Sequence, residues 1–351
     1  MRLSSNGSDV SSVISARAEA IADRVTVLYF EARPELEKQW KGARQKCTED
    51  NRYHLRYLAE ALSYGRQSMF TEYTIWATTL LASLNIPGEA LSLNLTLLRT
   101  VLAAELAGED SATALKYIDA ALSTIAVGVP KPSSRIEGTG PLDLMALDYL
   151  AALLHGDRAA ASSLVITALD GGTAIKDVYL KVFARSQQEV GRMWQTGQIG
   201  VAQEHYCTAC TQLIMSQLYP RIFSNRKNGR RLVATCVGGD LHEMGVRMVA
   251  DFFEMEGWDT FYLGANTPLS GTLQQVAERT PDVLAISATM SFHVQQVAEL
   301  IAATRATVHP PHIMVGGAPF NSLDGLWKDV GADSYARDAA DALAVAESWG
   351  P

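Results

Sequence analysis

The chain has 351 residues, 48% hydrophobic and 19% charged, with a formal net charge of -8, so it can build two or three packed domains and is not a disordered polar chain. The acidic balance, with no long basic run, excludes a general nucleic-acid surface, and no apolar stretch reaches the roughly 18 residues that span a bilayer. The opening MRLSSNGSDVSS has no apolar h-region, so no secretory signal is expected and a cytoplasmic location is the expectation.

Residues 10–128 read as helices throughout. Ile14, Ala18, Ile21, Val25 and Leu28 recur at the three- and four-residue spacing of one helix face. Pro34 suits the first turn of the next helix. Leu55, Leu58 and Leu62 continue the pattern, followed by Tyr73, Trp76, Leu80 and Leu84. Asn85-Ile86-Pro87-Gly88 breaks it, and Leu91, Leu95, Leu98 and Leu102 mark another helix. An all-helical domain over 1–130 results.

The stretch GVPKPSSRIEGTGP, residues 128–141, is the clearest linker. Helical patterning resumes at Leu142 and runs to about Phe223, with breaks at Gly156-Asp157 and Asp170-Gly171-Gly172. This predicts a bundle of four helices over 141–225. Cys207 and Cys210 form a C-x-x-C inside that pattern. With no second cysteine pair, helix packing explains them better than zinc or redox chemistry.

From 229 onward the period changes. Short apolar runs, LVATCV, TFYLG, DVLAIS and HIMVGG, alternate with helical ones, and a fifth strand falls near Asp333-Ser334-Tyr335. Alternation of this kind predicts a doubly wound, flavodoxin-like parallel sheet of five strands over 229–351. The fold class is therefore α plus α/β, with a helical N-terminal domain, a helical bundle and a C-terminal sheet.

Ligands of such sheets sit beyond the carboxyl ends of the strands. There the first strand is followed by Asp240, His242 and Gly245, the third ends at Ser287 and Thr289, and the fourth at Gly316 and Gly317. A neutral imidazole is a good transition-metal ligand, and a carboxylate two residues away can orient it. No second or third ligand has zinc spacing, so His242 suits a metal already held by a macrocycle.

Asp240-Leu241-His242-Glu243-Met244-Gly245 resembles the D-x-H-x-x-G motif of cobalamin-binding domains. Ser287-Ala288-Thr289, Gly316-Gly317 and Gly331-Ala332-Asp333 resemble that family's later motifs, in order, across 230–351. The resemblance implies base-off cobalamin with His242 as lower axial cobalt ligand, and the displaced tail running past Ser287, Thr289 and the glycine pair. Without the resemblance, the residues alone also fit a flavodoxin-like domain with a histidine in a loop.

In the bundle, Trp194, nine residues, then Glu204-His205 resemble the W-x9-E-H signature of CarH-type cobalamin photoreceptors. That resemblance implies a cap in which Trp194 packs on the adenosyl group of adenosylcobalamin while Glu204 and His205 line the same pocket. Gln195 stands where that family commonly has a histidine, which puts a bis-histidine photoproduct at that position in doubt.

The helical N-terminal domain lacks the strands and basic recognition helix of a winged helix-turn-helix. The three-part order is similar to that of photocobilins, which pair cobalamin with a bilin such as biliverdin. In KCTEDNRYHLRYLAEAL, residues 46–62, Arg52, Arg56, Asp50 and His54 suit a bilin's polar groups, Tyr53, Tyr57 and Trp76 its faces, and Cys47 a thioether. The plainer alternative is a helix capped by Thr48 or Asp50, its charges in water.

The resemblances imply a non-enzymatic light sensor. Photolysis of the cobalt–carbon bond alters domain arrangement or oligomeric state, with self-association and a downstream signalling partner, and without direct nucleic-acid or membrane contact. The alternatives are a corrinoid methyl carrier serving partner methyltransferases, and a haem or redox sensor.

Overall fold

A computed structural model describes residues 7–38, 41–223 and 226–349. The expected bundle end at Asn225 and both chain ends lie outside the described residues. The chain divides into two units, Met1–Lys131 and Pro132–Pro351, and the division falls within the Pro/Gly/Ser-rich stretch 128–141.

The first unit is helical among its described residues: α1 (Gly7–Ala32), α2 (Pro34–Glu37), α3 (Ala43–Ser63), α4 (Gln67–Ser83), α5 (Gly88–Glu105) and α6 (Gly108–Val127). Ile14, Ile21 and Val25 of the α1 stripe are fully buried, whereas Ala18 and Leu28 sit at its margin. Pro34 occupies the first turn of α2, where its missing N–H costs nothing. Asn85 ends the α4 turn at φ 58°, a left-handed conformation that asparagine tolerates. Helix α3 starts earlier than the expected cap at Thr48 or Asp50. Gly42, at φ 89°, reverses the chain, and its carbonyl accepts the N–H of Lys46. Thr48 and Asp50 therefore lie inside the helix.

The second unit opens with the bundle: α7 (Pro141–Leu154), α8 (Arg158–Asp170), α9 (Ile175–Asp177), α10 (Ala184–Gln195), α11 (Val201–Gln217) and the short α12 (Tyr219–Ile222). A π-helical turn, Val178–Phe183, joins α9 to α10, so these form one long rod and the bundle has four main helices. Cys207 and Cys210 are free and buried in the bundle core.

The sheet follows: β1 (Arg231–Cys236), β2 (Asp259–Gly264), β3 (Val283–Ser287), β4 (His312–Gly316) and β5 (Ser334–Tyr335). All pairings are parallel, in the order β2-β1-β3-β4-β5. The helices are α13 (Met244–Met255), α14 (Leu269–Arg279), α15 (Val294–Arg305), α16 (Ala318–Ser322), α17 (Leu326–Asp329) and α18 (Ala339–Ser348). Helices α13 and α18 pack together, as do α14 and α15. Five consecutive residues of β1, Leu232–Cys236, are buried, as a strand covered on both faces requires. The chain leaves β1 toward β2 on one side while β3 lies on the other. This is the switch point at which doubly wound sheets open a crevice. Register sets the rim level: Cys236 pairs with Ser287, and Ser287 with Gly316.

Candidate functional site

The loop between β1 and α13 is built around one buried carboxylate. Gly239 turns the chain at φ 81°, and Asp240 behind it is fully buried. Asp240 Oδ1 accepts the backbone N–H of His242 at 3.0 Å and its ring Nδ1 at 2.8 Å. Oδ2 accepts the N–H of Thr289 at 2.6 Å, and His293 Nδ1 lies 3.6 Å from it. Burial alone would raise the Asp240 carboxyl. The hydrogen bonds from His242 and the two backbone amides, with His293 close by, outweigh it and hold the group well below the usual carboxylate range.

His242 gains from the same contact. Its bond to Asp240 raises its proton affinity against the opposing effect of burial, and the charge of Glu204 adds to this. The bond commits Nδ1 to the carboxylate and leaves Nε2 as the nitrogen that could ligate a metal, on a side chain that is 54% exposed. An oriented, accessible single imidazole fits a metal whose other ligands come from a macrocycle. Among the described residues, no three His, Cys, Asp or Glu side chains are grouped to hold a metal ion by themselves.

The other expected rim residues are half-buried at the strand ends. Ser287 lies between Cys236 and Gly316 in register, and the Cys236 thiol donates to the His242 carbonyl at 3.7 Å. Thr289 contributes its backbone N–H to Asp240. Gly317, at φ 104°, permits a backbone approach that no side chain could: a Cβ there would sit 2.0 Å from the Ala288 carbonyl oxygen. Gly245 lies exposed in the first turn of α13.

The bundle lies over this loop. Trp194 stands near the end of α10, and a turn through Gly197 (φ 71°) brings the chain back into α11, whose first turn carries Glu204 and His205. The nine-residue interval is thus the distance around one helix-to-helix turn. Trp194 and Met244, two residues past His242, pack on the same bundle core. Glu204 holds His205 Nδ1 at 2.6 Å and Thr208 Oγ1 at 3.1 Å, while His205 itself is largely exposed. Gln195 is half-buried.

Two residues here escape sequence reading. Glu243 accepts Gln212 Nε2 from α11 at 2.6 Å, the Tyr262 hydroxyl at 2.7 Å and the Ala265 N–H at 3.0 Å. It ties the bundle, the His242 loop and β2 together. His293 is buried, and its Nδ1 makes no hydrogen bond. Glu243 lies inside the D-x-H-x-x-G motif, so the motif marks its position but not its role.

The N-terminal candidates spread over different sides of α3. Cys47 and Arg52, five residues apart, are separated by about 140° around the helix axis. Arg52 pairs with Glu19 at 2.5 Å, Asp50 with Lys46 at 3.2 Å, and Tyr53 is exposed. Burial raises the Asp50 carboxyl against the pull of Lys46. His54 is buried, with Nδ1 2.7 Å from the Tyr73 hydroxyl, and burial pushes it down to about 4. Tyr57 is also buried, stacked on Tyr73, and Trp76 lies near that pair. Cys47 is half-buried beside the amides of Asn51 and Asn94, and burial pushes its thiol up to about 11. No single face gathers all of these residues.

Residues 230–344 match the B12 binding domain family. A second B12 binding domain family matches 146–219, and residues 4–125 match the phycobilisome proteins. A dimethylamine corrinoid protein of Methanosarcina barkeri is 27% identical over 192 residues, covering 52% of this chain and 87% of that protein. A trimethylamine corrinoid protein of Methanosarcina mazei is 27% identical over 202 residues, covering 55% and 90%. The solved monomethylamine corrinoid protein of Methanosarcina barkeri shares the fold, with a TM-score of 0.52 and 24% identity over 59% of this chain and 99% of that one. These relatives are corrinoid proteins rather than the photoreceptors that the W-x9-E-H signature brought forward. The C-terminal unit is a cobalamin-binding module, its helical part matched over 146–219 and its sheet part over 230–344.

Proposed function

We propose that the chain is a light sensor. In this reading the C-terminal unit would hold adenosylcobalamin, with His242 Nε2 as the protein's ligand to cobalt, and the N-terminal unit would hold a bilin such as biliverdin. The observation that carries it is the order of domains in one chain: a phycobilisome match over 4–125 ahead of B12 binding domains. Adenosylcobalamin supplies a light-labile cobalt–carbon bond. Asp240 orients the imidazole, and around the bound group Gly317 would allow a close backbone approach, Trp194 would exclude water and Glu204 would accept hydroxyl hydrogen bonds. The signal would be a change in how the bundle packs between the dark and illuminated states. Cys47, with its thiol protonated and half-buried, supports a bilin held without a thioether. A dimer or higher assembly and a signalling partner complete the proposal.

A second reading, a corrinoid methyl carrier serving methyltransferases, has direct support. The relatives named above are corrinoid proteins, and for the C-terminal half they favour a carrier over a sensor. They align with only about half of this chain, so the rest needs another account. The test loads the full chain with adenosylcobalamin and biliverdin in darkness, then records absorption and elution volume before and after green light. A far-red bilin band with a light-dependent change in size or shape supports the sensor. Stable corrinoid binding with no bilin band and no response to light supports the carrier.

A further inference from the structure

The contact between α3 and α4 contains a buried aromatic cluster centred on Tyr73, a residue to which neither reading gives a role. His54 Nδ1 and the Tyr73 hydroxyl are 2.7 Å apart, and both residues are buried. Burial keeps His54 neutral near pH 7 and raises the Tyr73 phenol well above its ordinary value. Both groups are thus neutral, and in the tautomer with the ring proton on Nε2 the phenol donates and His54 Nδ1 accepts. The Tyr73 ring stacks on Tyr57 with centroids 3.7 Å apart and planes 12° from parallel, and Trp76 lies 6.4 Å away at 26°.

A buried phenol resists oxidation because losing an electron alone leaves an unsolvated cation. A neutral base already hydrogen-bonded to it removes that obstacle by taking the proton as the electron leaves. A face-stacked tyrosine also stabilises the positive charge that builds up during the step.

We infer that Tyr73 is a redox-active tyrosine that gives one electron to a photoexcited tetrapyrrole while its phenolic proton passes to His54 Nδ1. The O–H bond of Tyr73 breaks and an N–H bond forms on His54. The tetrapyrrole is reduced by one electron, leaving a neutral tyrosyl radical beside an imidazolium. Return of that electron from the reduced tetrapyrrole takes the proton back. The choice of oxidant rests on the tetrapyrrole reading above, whereas the Tyr73–His54 pair does not.

The test therefore uses the full chain without any tetrapyrrole. Tris(bipyridine)ruthenium(II) and persulfate generate the oxidant by flash, and electron paramagnetic resonance reads the trapped radical. Circular dichroism confirms that each variant is folded. The wild type is expected to give a long-lived tyrosyl signal that falls about tenfold in Tyr73→Phe and survives in Tyr57→Phe. His54→Phe is expected to cut the yield by about tenfold or more, with partial rescue in His54→Gln. An equal signal in Tyr73→Phe, or an undiminished one in His54→Phe, overturns the proposal. Should His54→Phe fail to fold, the wild-type rate in deuterium oxide decides: a slowed rate supports the proton transfer and an unchanged one overturns it. Failure here leaves the bilin reading intact, because that reading is judged by the far-red band.

Discussion

Asp240 grips His242 twice, by ring nitrogen at 2.8 Å and by backbone amide at 3.0 Å, through the same oxygen. The side chain and the main chain of the proposed ligand are thus fixed by one buried group. The other oxygen reaches across the crevice to Thr289 on the β3 side. The ligand's orientation therefore depends on the two loops at the switch point staying together, and the strand order brings them there.

Asp240→Asn is expected to weaken cobalamin binding about 10–100-fold, the usual loss when an outer partner of a metal-ligating histidine is removed. The carboxamide offers one acceptor oxygen where the carboxylate offers two, so either His242 or Thr289 meets an N–H instead. Titration of the full chain with cobalamin, followed by absorption, measures this. Unchanged affinity would refute the orienting role.

Glu243→Ala is expected to destabilise the second unit by about 1–3 kcal/mol, because it leaves the Tyr262 hydroxyl and the Ala265 N–H without their acceptor. It also cuts the bond to Gln212, so the bundle should open more readily over the loop. Urea unfolding gives the first quantity. Hydrogen exchange in α11 reports the second, and protection equal to wild type would show that Glu243 does not hold the bundle down.

Much of the C-terminal unit is legible in the sequence because four of its five strands are short apolar runs between turn signals. The D-x-H-x-x-G spacing likewise follows from a loop that must fold back on Asp240. What the sequence hides is mostly pairing between distant elements. Tyr179 and Asp251 lie 72 positions apart, and each looks like an ordinary amphipathic residue on its own helix. Glu243 reads as a solvated charge until Gln212 and Tyr262 are seen around it. In the N-terminal unit, polar and aromatic residues crowd one helix. Crowding in sequence spreads them around the axis, so Arg52 turns to Glu19 while His54 turns to Tyr73.

Gly317→Ala is expected to impair folding of the sheet unit and to abolish cobalamin binding. The added Cβ would lie 2.0 Å from a backbone oxygen, which cannot swing aside as a side chain can, and φ 104° is strained for alanine. Gly316→Ala meets the Ala336 oxygen at 3.0 Å and should be milder. Melting temperatures of the two variants compare them, and equal losses would argue against the close approach at 317.

Asp251 gives the pH prediction. It is buried on α13 and accepts the Tyr179 hydroxyl, from the π-helical turn, at 2.9 Å. Burial pushes its carboxyl up to about 6 from an ordinary 3.8; the Tyr179 bond and Arg247 work against this, and Glu254 adds to it. The folded chain therefore holds this proton more tightly than the unfolded chain. Stability from this group is greatest below pH 3.8 and is lost as pH rises through about 6, by at most about 3 kcal/mol. A carboxamide in place of the acid keeps an acceptor for Tyr179 but does not titrate. Asp251→Asn should therefore match wild type near pH 4 and exceed it at pH 7.5. Thermal melts at the two pH values test this, and a variant less stable than wild type at pH 7.5 would mean that the ionised carboxylate, paired with Arg247, is the stabilising form.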